Sequence, residues 1–376
     1  MRKFAQYILI CAISLLAFAG CDVHEFPDPQ LEVKVPFELH LNFDNEMTLH
    51  DVITHTRSGE EETKAPFSSH DFRYVIKAYH LDRWKKNGDN EADAEFVFTR
   101  PSNEELNFTA ELPLHEGDYR FLVWCDYVDA GTNADKYYTT SDFKMIAMTE
   151  LNEYEGSNDF RDAFRGMVDG SVRNPDLYAG DIVDTFTNEA TAQMTRPVGK
   201  LKFISTDVDI FVDHITDIMK EQGLLMSNFN DLTFEQMLQS IRIEDFKVVV
   251  RYSHYLPCAY NMYEDRASDS RPASFTSTLQ REGDRNMLLG YDYVISEKNK
   301  GVLITGINIE VYNKEGELMS KTDGIPGLRI MQSQMTVVQG EFLTSKASGG
   351  VSINPGYDGP DFNIPLSVRT TKNIFE

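Results

Sequence analysis

Nine histidines, 60 carboxylates, four cysteines and two tryptophans are the residues through which this 376-residue chain could do chemistry. A metal or catalytic centre needs several of them at a convergent spacing. His50 and His55 stand close together, but no third ligand follows at motif spacing and HExxH is absent. Hydrogen-bonded or solvent-facing imidazoles are therefore expected, with no metal. Asp89, Glu91 and Asp93 have the alternation of a calcium loop. Counted from Asp89, however, the sixth position is Ala94 instead of glycine and the twelfth is Arg100 instead of glutamate. G-x-S-x-G, the P-loop and G-x-G-x-x-G are all missing. Acidic residues are so abundant that neighbours in sequence say nothing about a glycosidase pair. No enzyme activity and no cofactor are expected. A sugar platform needs an exposed flat ring. Trp124 sits in a strand apolar on both faces and belongs to the core; Trp84, in Asp82-Arg83-Trp84-Lys85-Lys86, follows a strand into a polar loop and is the candidate ligand contact. Cys125 and Cys258 are far apart and are expected to be buried free thiols, with a disulfide as the alternative.

The first residues bear on the compartment. Arg2 and Lys3 precede an apolar run, Phe4 to Ala19, that is short for a membrane span of about 20 residues. It ends in Phe18-Ala19-Gly20-Cys21, which resembles the bacterial lipobox, although the family pattern favours leucine where Phe18 stands. The resemblance implies a signal peptide over 1–20 and lipid on Cys21. More than one acyl chain is needed for stable anchoring, and a diacylated or triacylated cysteine supplies that. Residues 21–30 form the lipidated tether, acidic and carrying two prolines. The net charge of −24 repels nucleic acid and anionic headgroups, so no nucleic-acid partner is expected.

Behind the tether, strand patterns dominate. Val33 to Phe43 alternates, with Val35, Phe37, Leu39, Leu41 and Phe43 on one face. Phe72 to Leu81, Glu95 to Thr99, Leu106 to Leu112 and Tyr119 to Val128 follow, the last apolar on both sides and hence central. Residues 152–181 are poorer in pattern, with a helical turn expected over Asp159 to Arg165. The second half opens with a strand at Leu201 to Ser205. Helical spacing then predicts helices over 208–222, stopped by Gly223, and over 233–242, where Thr233 and Gln236 make a capping box. Strands return at Phe246 to Tyr252, Asn286 to Ile295, Val302 to Tyr312, Met335 to Leu343 and Phe362 to Val368. Lys314-Glu315-Gly316-Glu317 is a hairpin-like turn. The expected fold is all-β: an N-terminal β-sandwich over 31–195 and a C-terminal one over 196–376 with a small helical insertion. The boundary is placed at 193–197, where Pro197 breaks pairing.

Several segments resemble a family of exported Bacteroidales lipoproteins related to fimbrillins and their anchor subunits. They are Tyr119 to Tyr127, Tyr137 to Ile146, Arg161 to Phe164, Arg196 to Asp207, Thr336 to Thr344 and Val351 to Gly359. The resemblance implies a pair of transthyretin-like, Greek-key sandwiches in a type V pilus-like component, with other fimbrial subunits as partners. In stalk subunits of that family an arginine-specific protease removes a first strand, and a neighbour's strand fills the groove. Arg57, in a polar loop, is the candidate cleavage site. Phe362, Ile364, Leu366 and Val368 alternate and form the candidate donor strand, which would otherwise complete its own sheet.

The expected function is a lipid-anchored structural or adhesive protein of the outer-membrane surface: a fimbrial subunit, anchor or adhesin. A surface glycan-binding lipoprotein is the alternative. A periplasm-facing scaffold of the outer membrane is the third reading.

Overall fold

The computed structural model describes residues 33–44, 69–86, 88–177, 187–223 and 232–345, and the backbone of 351–354. Cys21, Arg57 and Phe362 to Val368 lie outside the described residues, as do His50 and His55.

The first half contains β1 (Val35–Phe43), β2 (His70–His80), β3 (Ala94–Pro101), β4 (Phe108–Leu114), β5 (Gly117–Asp129), β6 (Tyr138–Thr139), β7 (Ile146–Met148), β8 (Asn152–Glu155), β9 (Phe164–Val172) and β10 (Glu189–Met194). Next come β11 (Val198–Ser205), α1 (Val208–Glu221), α2 (Phe234–Ser240), β12 (Lys247–Asn261), β13 (Arg266–Thr278), β14 (Gln280–Glu282) and β15 (Asn286–Ile295). The chain continues with β16 (Val302–Ile304), β17 (Ile307–Tyr312), β18 (Leu318–Ile325), β19 (Leu328–Ile330), β20 (Met335–Gly340) and β21 (Val351–Asn354). The fold is all-β, with a helical insertion in the second half.

Two sheets make the first sandwich, ordered β10-β1-β4 and β3-β2-β5-β9. The alternation of β1 does what its period requires: Val35, Phe37, Leu39, Leu41 and Phe43 are buried while the even positions face outward. Phe37 stacks on Phe121 of the opposite sheet at 5.0 Å, and Phe43 meets Phe164 edge-on at 5.0 Å. Strand β5 is covered on both faces, and Trp124 is fully buried. The two sheets meet at one corner, where Arg165 and Thr195 exchange backbone hydrogen bonds.

The second sandwich sets β14-β15-β11-β20-β21 against β18-β17-β12-β13-β8. Helix α1 buries Val208, Phe211, Val212 and Ile215 on one stripe, and Phe211 meets Phe246 edge-on. Gly223 takes a φ of +68° and its N–H bonds Lys220 O, ending the helix where its missing Cβ allows. Thr233 and Gln236 form the capping box of α2. Asn313 to Glu317 closes the β17–β18 hairpin, with Gly316 at a φ of +82°.

Three expectations change. The segment after residue 152 yields β8 and the nine-residue β9, and its helical turn is confined to Asp159–Arg161. Strand β13 occupies a stretch where no strand was expected. Its Ser, Asp, Arg and Thr residues carry little apolar alternation, because half of it faces water along the bulged β12–β13 ribbon. The run Val302 to Tyr312 is two strands, broken at Gly306 with a φ of +69°.

The halves are interleaved. Strand β7 pairs with β12, and β8 runs parallel to β13, before β9 returns to the first sandwich beside β5. The first hydrophobic core accordingly extends through Tyr260, Met262, Tyr263, Tyr291 and Tyr293 of the second half.

Candidate functional site

Trp84 is the one candidate site residue from the sequence that the structure describes. It lies in the turn after β2, half-buried. Its ring stacks on Tyr263 at 5.2 Å and meets Tyr79 edge-on at 5.3 Å, with the Arg120 guanidinium 5.0 Å above it. The hydroxyl of Tyr263 donates to that of Tyr79 at 2.8 Å. Arg120 is itself held by Asp169 through two bonds of 2.7 Å. The ring therefore joins the two halves of the molecule. Tyr79 and Tyr263 are 184 residues apart, so no local pattern around Trp84 announces this contact.

At the other end of the β2–β5 pair, where Phe160 packs on His70 and Tyr127, runs a buried ionic seam. Asn158 accepts the Phe160 N–H and caps the single turn Asp159–Arg161. That turn sets two carboxylates against the second half. Asp159 receives Lys200 Nζ and the Tyr293 hydroxyl, each at 2.9 Å. Asp162 receives Arg196 Nε on both oxygens, at 3.1 and 2.9 Å. Burial pushes the Asp162 carboxyl up, with Arg196 opposing it, and burial pushes Lys200 down against the pull of Asp159. Asp292 is buried as well and accepts the hydroxyls of Tyr154 and Tyr252; burial raises it to about 6. A second buried pair, Arg73 with Asp126, is extended by Asp135 at the surface. Burial raises Asp126 to about 6 although Arg73 works against it. Asp159 and Asp162 come from the turn and its C-cap, Arg196 from just before β11, Lys200 from β11, Asp292 from β15, and Arg73 and Asp126 from β2 and β5. The contacts of Asp159, Asp162 and Asp292 tie the segment 154–162 to the second half, whereas Arg73 and Asp126 tie β2 to β5 within the first sandwich.

Asp207 has a comparable role beside β11. It accepts the N–H of Leu343 at 3.3 Å and that of Thr344 at 2.8 Å, fixing the chain beyond β20. Neither the seam nor this anchor was foreseen, because acids in a chain with 60 carboxylates carry no positional signal.

A cavity of about 390 Å³ opens beside the start of β1, lined by Lys34, His80, Arg83, Asp93, His115 and Tyr119 among others. Asp93 is already engaged by Arg83 and by the His80 N–H. Asp89 of the calcium-like stretch is bonded by Lys144. Thus Asp89 and Asp93 turn to different cations instead of converging. Cys125 and Cys258 are both buried free thiols; burial pushes the first well up and the second to about 11.

Among the described residues, β3 and β21 stand at the ends of their sheets. The eight-residue β3 is an edge, blunted by Glu95, Arg100 and Pro101. Among the described residues, strand β21 pairs with β20 alone, Val351 opposite Gly340 and Asn354 opposite Val337.

No curated protein matches the chain. Among solved structures, the fimbrial anchor protein Mfa2 from Porphyromonas gingivalis is similar at 11% identity and a TM-score of 0.41, over 86% of this chain and 98% of that one. The tip fimbrial protein Mfa3 from the same organism is similar at 10% identity and a TM-score of 0.37, over 85% and 99%. A family model described as "Family of unknown function (DUF6562)" matches residues 30–374. A match of that extent takes in both sandwiches and the seam between them: the chain belongs to the DUF6562 family.

Proposed function

We propose that this protein is a lipid-anchored structural or adhesive component of the cell surface, a fimbrial subunit, anchor or related adhesin that works through sheet edges and surface contact. The order of parts carries the reading: an acylation-type cysteine, Cys21, precedes a short acidic tether and then a strand-built body. Strand topology supports it. Strand β1, the first after the tether, runs parallel to β10, which leads into the second sandwich. Tension between an anchored amino end and the distal half would pull these two strands lengthwise past each other. All the hydrogen bonds between them would then share the load. The seam at Asp159, Asp162, Arg196 and Lys200 would carry the same load onward as one rigid unit. The edge at β21 is where the chain's own last strand, or one from another subunit, would add main-chain hydrogen bonds.

Mass spectrometry of the mature amino terminus tests the anchor. Acyl chains on Cys21 are expected, and the same spectrum reports any cut after Arg57. A Cys21→Ala protein that stays in the membrane fraction would refute anchoring, and complete resistance of the protein to proteases added to intact cells would refute surface exposure. The glycan reading through Trp84 has less support, because that ring is occupied by Tyr79, Tyr263 and Arg120.

A further inference from the structure

The outward face of the sheet β10-β1-β4 carries a row of like charges. Glu38 of β1 stands opposite Glu189 of β10 on one side and opposite Glu111 of β4 on the other. Like charges directly opposed across strands are destabilising. The next outward row is His40, flanked by Thr191 and Thr109. The remaining outward positions of these strands are Pro36, Asn42, Pro113 and Gln193, so His40 is the only nitrogen-base side chain on this face of the three strands.

The side chains are arranged around His40 Nε2. It lies 3.6 Å from Glu189 Oε2 and 3.8 Å from Glu38 Oε2. Those distances are too long for hydrogen bonds. They are close to the separation of about 3.4 Å between two ligands of a tetrahedral zinc ion at bond lengths of about 2.1 Å. The three ligand atoms all lie within 4.8 Å of one another. The other ring nitrogen, Nδ1, is 2.9 Å from Thr109 Oγ1. If Nδ1–H donates there, the free lone pair sits on Nε2 and faces the two carboxylates, as in metal-bound histidines oriented by an outer partner.

We propose that Glu38, His40 and Glu189 form a divalent metal site that clips β1 to β10, with zinc the ion their chemistry favours. Imidazole selects against calcium and magnesium, which take oxygen ligands. Two carboxylates and one imidazole leave a fourth position to water. Glu38 and His40 share a face because they are two apart on one strand; Glu189 arrives through the parallel pairing. The ion would turn the repulsion of the glutamate row into cross-strand attachment, and it would bind only the folded chain. The site does not depend on how the chain is held in the envelope.

Calorimetric titration of the intact, chelator-treated chain with zinc chloride tests the proposal, alongside thermal melts with and without zinc. One zinc ion per chain and a raised melting temperature are expected, with no such rise from calcium chloride. His40→Gln should lose at least about tenfold in affinity, and Thr109→Val about tenfold. Glu189→Gln should melt higher than the wild type without metal, because a repulsion is gone, yet gain nothing from zinc. A merely structural glutamate would not show both effects. Zinc binding that persists unchanged in His40→Gln, or a wild-type melting temperature indifferent to zinc, would overturn the site.

Discussion

Replacing Arg196 with methionine should cost the fold about 3–5 kcal/mol at pH 7, because it strands a buried carboxylate. Arg196 is 4% and Asp162 1% exposed. At an effective dielectric of about 20, opposite charges about 4 Å apart attract by about 4 kcal/mol, in line with that range. Methionine keeps apolar contact with Phe164, over whose ring the guanidinium now sits at 4.5 Å. What remains for Asp162 is the Ala163 N–H at 3.0 Å and the field of Lys200. The pH dependence follows from the sign of the shift. Burial already holds the folded carboxyl above its unfolded value, and removing Arg196 raises it further. A group raised in the fold contributes stability at low pH that is lost as pH rises, so the deficit of the variant should shrink between pH 7 and pH 5. Urea unfolding followed by circular dichroism at both pH values measures it, with m values compared to check that the same unit unfolds. Asp162→Asn added to Arg196→Met should recover most of the loss. A deficit below about 1 kcal/mol at pH 7, or one unchanged at pH 5, would refute the account of the seam.

Asp292, raised by burial to about 6, should make the wild type gain stability between pH 7 and pH 5. Asp292→Asn should remove about 1 kcal/mol of that gain, and a variant profile parallel to the wild type would speak against it. Gly199→Ala would place a Cβ 2.2 Å from Met331 O, so β11 must move from the backbone behind it. A loss of about 1–3 kcal/mol in thermal or urea melts is expected. Trp84→Ala should cost about 2 kcal/mol, less than a fully buried tryptophan, and its effect should be non-additive with Tyr263→Ala. Additivity of the two would mean that the ring does not join the halves.

Legible in the chain itself were the elements whose period is their own evidence. Strand β1 alternates, β5 is apolar on both faces, and both helices announce themselves by spacing, α2 also by its Thr233–Gln236 cap. A period says which face of an element is buried, and a cap says where it starts; both are local. Strand β13 escaped because a ribbon facing water needs no apolar alternation. Partners are a different matter. That β7 and β8 would pair with strands of the other half depends on which edges are open once both sandwiches exist. Trp84 looks like a surface ring until Tyr263 comes beside it. His40 becomes a candidate ligand only when parallel pairing brings Glu189 to it. Electrostatics and aromatic contact act over a few ångströms, and folding sets distances that separation along the chain does not.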